Sequence, residues 1–92
     1  MNIYVGDLSY RVQEDDLQKA FEAFGYVKGI KLVRDRYSGK TKGFGFVEMP
    51  VDAEAWSAIK GLNRTLLKNK ILNVNEAREP RNVEQRSYRR YI

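Results

Sequence analysis

Residues 42–49 read Lys-Gly-Phe-Gly-Phe-Val-Glu-Met. On a strand's period of two, Lys42, Phe44, Phe46 and Glu48 share one face, and Gly43, Gly45, Val47 and Met49 share the other. Charged side chains are seldom buried without partners, so the face with two charges and two phenylalanines is expected to be the wet one. Exposed rings beside a lysine suit a partner that is flat and negatively charged. Their chemistry is stacking and charge neutralisation rather than proton transfer.

The composition narrows the classes further. The 92 residues include no cysteine and no histidine. Disulfides, thiolate nucleophiles, histidine bases and most zinc or copper sites therefore drop out, and the lack of cysteine fits a reducing compartment. The length fits one small domain. No run of about 18 apolar residues occurs, so no membrane-spanning helix is expected. The start lacks a basic region followed by a long apolar stretch, so no signal peptide is expected. The net charge is +5 and the pI about 9.6, which favours a polyanionic partner. Residues 78–92 hold five arginines against two glutamates, a net +3, so the C-terminal end carries more of the excess than the body.

The elements that must position the aromatic strand follow from pattern. Ile3 and Val5 alternate with Asn2, Tyr4 and Gly6, predicting a first strand that turns Tyr4 outward. Leu17, Ala20, Phe21 and Phe24 recur at helical spacing over 14–24, after the acidic Glu14, Asp15 and Asp16 and before Gly25. A second strand is predicted over 27–34, with Ile30 and Leu32 on one side and Lys31 and Val33 on the other. Tyr37-Ser38-Gly39-Lys40 is a turn into the aromatic strand. Pro50 ends that strand, and Asp52 is expected to cap a second helix over 53–61, with Ala55, Ala58, Ile59 and Leu62 inward. A loop over 63–70, with a short extended piece at Leu66-Leu67, leads to a last strand over 71–77. That strand turns Leu72 and Val74 inward and Asn73, Asn75 and Ala77 outward.

The order strand, helix, strand, strand, helix, strand predicts an α+β, ferredoxin-like split βαβ fold. Right-handed crossovers place the first and third strands at the centre of a four-stranded antiparallel sheet, with both helices on one face. Tyr4, Phe44 and Phe46 would then gather on the open face.

With those residues in place, the chain resembles the RNA-recognition motif family. Residues 42–49 match the family's octapeptide, Lys/Arg-Gly-Phe/Tyr-Gly/Ala-Phe-Val-x-Phe/Tyr, at seven of eight positions, departing at Met49. Ile3-Tyr4-Val5-Gly6-Asp7-Leu8 matches its hexapeptide. The resemblance covers residues 1–78, leaving 79–92 as a basic tail expected to be mobile, and the chain also resembles small single-domain bacterial RNA-binding proteins. It implies a bacterial, cytoplasmic, monomeric protein that binds single-stranded RNA in post-transcriptional regulation or RNA chaperoning. No cofactor and no metal are implied. Tyr4 would stack one base and Phe46 the next, Phe44 would pack against the sugars, and Lys42 would neutralise a phosphate. Asn73, Asn75 and Ala77 resemble the family's nucleotide-contacting edge, and Arg78 just beyond could reach a phosphate or a base. Lys31 shares the open face, as a contact or as a solvated charge.

Other residues stand apart from the pattern. Asp7 occupies a position where related sequences commonly have Asn. A carboxylate only accepts, so it would repel phosphate yet could accept from a base amino group. Gln13 stands where a Ser or Thr helix cap is usual. Arg64 and Asn69 stand where Gly is frequent; Asn suits a left-handed turn, whereas Arg64 predicts an altered or strained loop. Gly43 and Gly45 are expected where a helix approaches the sheet closely. Trp56 lies off the apolar stripe of its helix, either as a half-exposed packing residue or as a protein-contact spot opposite the RNA.

Rival readings fare worse. Acylphosphatase shares the topology, and Arg11 could supply its loop arginine, but no asparagine occurs between Ile3 and Leu62 for its second site. The chain is therefore read as no enzyme. Gly39-Lys40-Thr41 lacks the earlier glycine of a phosphate-binding loop. A protein-binding variant acting as an interaction module usually loses the sheet aromatics, and all three are present here. Single-stranded DNA remains an alternative ligand, because stacking needs no 2′-hydroxyl.

Overall fold

A computed structural model describes residues 1–77; Arg78 and the expected tail, 79–92, lie outside the described residues. Strand β1 (Asn2–Gly6) buries Ile3 and Val5 completely and leaves Tyr4 half-buried on the other face, as its alternation requires. Helix α1 (Glu14–Glu22) buries Leu17 and Phe21. The Gln13 backbone N–H donates to the Asp16 carboxylate at 2.8 Å, so an acidic side chain satisfies the helix start. The helix stops before the expected Phe24, whose N–H donates to the Phe21 carbonyl at 2.9 Å in a tightened last turn.

Strand β2 (Gly29–Arg34) is shorter than its apolar pattern, because Val27 is buried outside the ladder. The following turn is organised by Asp35. Its carboxylate accepts from the N–H groups of Tyr37 at 2.7 Å and Ser38 at 3.0 Å. The Ser38 and Tyr37 N–H groups hold the Asp35 carboxyl below its usual range, and the Lys42 charge adds to this. The stabilisation is therefore present above the unfolded carboxylate's pKa and is lost as pH falls through the lowered folded value.

Strand β3 (Thr41–Glu48) carries the aromatic residues, and Met49 follows it into the core. Helix α2 (Asp52–Leu62) begins one residue earlier than expected. Val51, not Asp52, is the capping residue, and it makes no side-chain cap bond. Asp52 instead sits in the first turn, 3.8 Å from the N-terminal ammonium, which also donates to the Met49 carbonyl at 2.9 Å. The expected loop at 63–70 contains most of a second sheet. Strands β4 (Leu66–Leu67) and β5 (Lys70–Ile71) pair around Lys68 and Asn69, both at positive φ (50° and 72°). Two consecutive left-handed residues give the mirror-image turn that suits a two-residue hairpin. Ile71 belongs to this hairpin, and the last strand of the main sheet is β6 (Asn73–Glu76).

The main sheet has the order β2-β3-β1-β6, antiparallel throughout, with β3 and β1 central. This is the ferredoxin-like split βαβ arrangement. Its inward residues, among them Ile3, Val5, Leu32, Val47 and Val74, join Leu17 and Phe21 of α1 and Ala55, Ala58 and Ile59 of α2 in one core. Both helices thus cover the same face, and among the described residues no element covers the face bearing Tyr4.

The glycines of β3 have a reason different from the expected helix approach. A Cβ on Gly45 would lie 2.6 Å from the Lys31 carbonyl oxygen and 3.2 Å from the Leu32 Cα, so the neighbouring strand β2 is what demands glycine there. Gly43 has a φ of 91° within a register shift between β2 and β3, a backbone few other residues adopt.

Candidate nucleic-acid interface

Register determines what the open face presents. Lys31 pairs with Phe46, Phe46 with Tyr4, and Tyr4 with Asn75. Because paired residues share a face, these four side chains form one lateral row across all four strands. Phe44 stands beside the row. The three ring centroids lie 6.0, 6.0 and 6.1 Å apart, with interplanar angles of 30° (Tyr4–Phe44), 64° (Tyr4–Phe46) and 89° (Phe44–Phe46). The spacings suit aromatic contact, yet each ring is only half-buried, so each keeps surface for another flat group.

Tyr4 depends on a neighbour that side-chain pattern alone does not single out. A Cβ on Gly6 would lie 2.3 Å from the Tyr4 hydroxyl and 2.7 Å from its ring. The tyrosine ring therefore lies along its own strand over Gly6, two residues on and on the same face. The signal is present in the hexapeptide, as a glycine at i+2 from an outward aromatic. Gly6→Ala is expected to leave the fold intact, because the flexible ring can move aside, while shifting the ring from its seat. The circular dichroism spectrum should be unchanged. Affinity for a single-stranded oligonucleotide should fall about three- to tenfold, part of the roughly 1–3 kcal/mol that one stack contributes.

The remaining predicted site residues fall around this row. Lys31 and Lys42 are exposed, and neither ammonium has a carboxylate within ion-pair distance among the described residues. Arg34, in contrast, is engaged by Glu14 at 2.8 Å. The Asn75 amide donates to the Asn73 side-chain oxygen at 2.8 Å, so these two asparagines orient each other. Ala77 is half-buried at the far edge and donates its N–H to the Asn2 carbonyl at 2.8 Å. Glu48, paired with Asn2, puts a negative charge at that end of the face.

Two depressions flank the row. A hollow of about 350 Å³ is lined by Tyr4, Phe46, Asn75, Glu76 and Ala77. A groove of about 440 Å³ is lined by Asp7, Asn63, Arg64, Ile71, Leu72, Asn73 and Asn75. Asp7 lies at the end of β1 with a φ of 59°, and Arg64 has a φ of 70°, a glycine-type backbone that accords with a strained rather than an altered loop. The Asn63 side-chain oxygen accepts from the Val74 N–H at 2.8 Å and ties this loop to β6, a role not anticipated from pattern.

Among the described residues no cluster of three or more His, Cys, Asp or Glu side chains could hold a metal ion. No helix among them is long and apolar enough to cross a membrane.

Comparison with known proteins agrees with this geometry. The RNA recognition motif matches over residues 3–73. RbpE of Nostoc sp. strain PCC 7120, named as a candidate RNA-binding protein, is 46% identical over 78 residues, covering 85% of this chain and 79% of the relative. RbpA of Synechocystis sp. strain PCC 6803, named in the same way, is 45% identical over 82 residues, covering 89% and 81%. Among solved structures, the RNA-binding protein PG1 superposes with a TM-score of 0.83 at 43% identity, covering 86% of this chain and 95% of that one. A Sex-lethal protein in complex with RNA superposes with a TM-score of 0.78 at 29% identity, covering 83% and 47%.

Proposed function

The chain belongs to the RNA recognition motif family, and from that premise we propose that it binds single-stranded RNA on the open face of its sheet. The observation that carries this reading is the row Lys31–Phe46–Tyr4–Asn75 with Phe44 beside it. Unpaired bases expose flat faces that stack on aromatic rings, and the strand order supplies two such rings side by side. Tyr4 and Phe46 each stack a base, Phe44 packs against the intervening sugars, and Lys42 and Lys31 meet phosphates. Asn73, Asn75 and Ala77 form the edge over which the RNA continues, and Arg78, next in sequence, meets a phosphate or a base. The protein is a binding module rather than an enzyme. It acts as a monomer in the bacterial cytoplasm, in post-transcriptional regulation or RNA chaperoning.

Binding should be measured by fluorescence anisotropy with a labelled RNA octamer, in competition with the DNA octamer of the same sequence. RNA is expected to win, and preference for DNA would move the reading to single-stranded DNA. The arginines of 81–92 act as an electrostatic arm. Removing these residues should lower affinity mainly at low salt, with the slope of log affinity against log salt falling by about 0.7 for each phosphate the arm had neutralised. An unchanged slope would show that the arm neutralises none. Trp56, 46% exposed on α2, is suited to a protein contact on the face away from the RNA. Trp56 fluorescence that responds only to unfolding would argue for a packing role alone.

A further inference from the structure

The groove beside the stacking row takes no part in stacking, and its chemistry is asymmetric. Asn75 lines both this groove and the hollow next to Tyr4 and Phe46, so a strand stacked on the row passes directly into it. Asp7 contributes a carboxylate, Arg64 a guanidinium, and Asn73 and Asn75 carboxamides. The Asn63 oxygen is already taken by the Val74 N–H, and the Asn73 oxygen by the Asn75 amide. Asp7 and Arg64 are different. Among the described residues neither side chain has a hydrogen-bond or ion-pair partner, although both line the same groove. Both also hold left-handed backbone, with φ of 59° and 70°. For arginine this conformation is costly, and strained residues of this kind concentrate where a ligand is held.

We infer that this groove is a base-selecting subsite for guanine, with the Asp7 carboxylate reading the N1–H and N2 amino donors and the Arg64 guanidinium reading O6 and N7. The inference rests on the RNA-binding reading above. Its chemical basis is a count of donors and acceptors. An ionised carboxylate offers two acceptor oxygens and no donor. Guanine is the standard base whose pairing edge places two donors side by side. Adenine and cytosine place an acceptor nitrogen beside the amino group, which would face the second carboxylate oxygen. Uracil offers a single imino donor between two carbonyls. The neighbouring edge of guanine carries O6 and N7, a pair that a guanidinium matches with two parallel bonds. Asp7 thus has a positive use: it repels phosphate but holds one base.

The test uses the full chain and three labelled RNA octamers at fixed salt: all-uridine, the same with one central guanosine, and the same with inosine, which lacks the N2 amino group. The guanosine octamer should bind about tenfold tighter than the inosine octamer, the loss of one hydrogen bond to a charged group. In Asp7→Asn, which tolerates the same left-handed backbone, the two should bind alike, and all-uridine should bind as well as before or better. In Arg64→Gly the advantage of guanosine over uridine should shrink. Equal affinity for guanosine and inosine in the unaltered protein would overturn the subsite and leave RNA binding standing. So would a guanosine-to-inosine ratio that survives Asp7→Asn. Failure of all three octamers to bind would instead overturn the RNA-binding reading itself, and the subsite with it.

Discussion

Replacing Tyr4 and Phe46 together with alanine is expected to abolish measurable RNA binding while the protein stays folded. The two rings are centred 6.0 Å apart on paired positions of the two central strands, and both are half-buried on the face away from the core. Each base stacked on an aromatic ring is worth roughly 1–3 kcal/mol by alanine substitution, so two stacks are worth about 2–6 kcal/mol. At about 1.4 kcal/mol per tenfold, the middle of that range is close to a thousandfold loss in affinity. The core has little part in the change, because Ile3, Val5 and Val47, the strand neighbours of the two rings, point to the other face and are fully buried. Anisotropy with a labelled octamer gives the affinity and circular dichroism gives the fold. Retained affinity in a folded double variant would rule out the stacking platform.

The second large effect is on stability. Gly45→Ala places a methyl group 2.6 Å from the Lys31 carbonyl oxygen and 3.2 Å from the Leu32 Cα. Both contacts are backbone, so no side chain can swing away, and β2 must part from β3. Overpacking of this kind costs typically about 1–3 kcal/mol. For a domain of this size each 1 kcal/mol lowers the midpoint of thermal unfolding by roughly 4–8 °C. Gly29→Ala is the matching control. No atom of the described residues lies within 4 Å of its added Cβ, so a shift of at most about 0.5 kcal/mol is expected. Equal melting points for the two variants would contradict the close approach of β2 to β3. Binding should weaken with Gly45→Ala as well, because Lys31 and Phe46 face each other across the same pair of strands.

Much of this arrangement is legible from side-chain alternation. Ile3 and Val5 inward and Tyr4 outward follow from a period of two, and so does the face shared by Phe44 and Phe46. Element order and crossover handedness then make β1 and β3 neighbours. The rest depends on contacts between distant segments. Asp52 looks like a helix cap in isolation, but the N-terminal ammonium lies near its carboxylate and Val51 takes the capping position. The hairpin around Lys68 and Asn69 needs two left-handed residues in succession, and lysine does not advertise that geometry. Gly45 reads as a position where a helix comes close, while the neighbour that excludes a side chain is the backbone of β2.

The site shows the same division. The three aromatics carry their own signal, because they alternate with the aliphatic core residues of β1 and β3 and share their face with polar and charged neighbours. Gly6 carries a fainter one, a glycine two residues on from an outward aromatic, and its role follows from the Tyr4 ring lying over it. Asp7 stands out as an unusual acid, but its relation to Arg64 depends on the turn after α2 coming back beside the end of β1. Lys42 alternates with Phe44 in sequence, but the positive φ of Gly43 and the register shift lie between them, and the influence of Lys42 on Asp35 sets it beside the β2–β3 turn.

Whether RNA lies on the open sheet face can be decided by an amide chemical-shift titration of the ¹⁵N-labelled protein with a single-stranded RNA octamer. The largest shifts are expected on Tyr4, Lys31, Phe44, Phe46 and Asn75, with the outer faces of α1 and α2 almost unmoved. Shifts centred on α2 around Trp56, with the amides of Tyr4 and Phe46 unchanged at saturation, would contradict binding on the sheet.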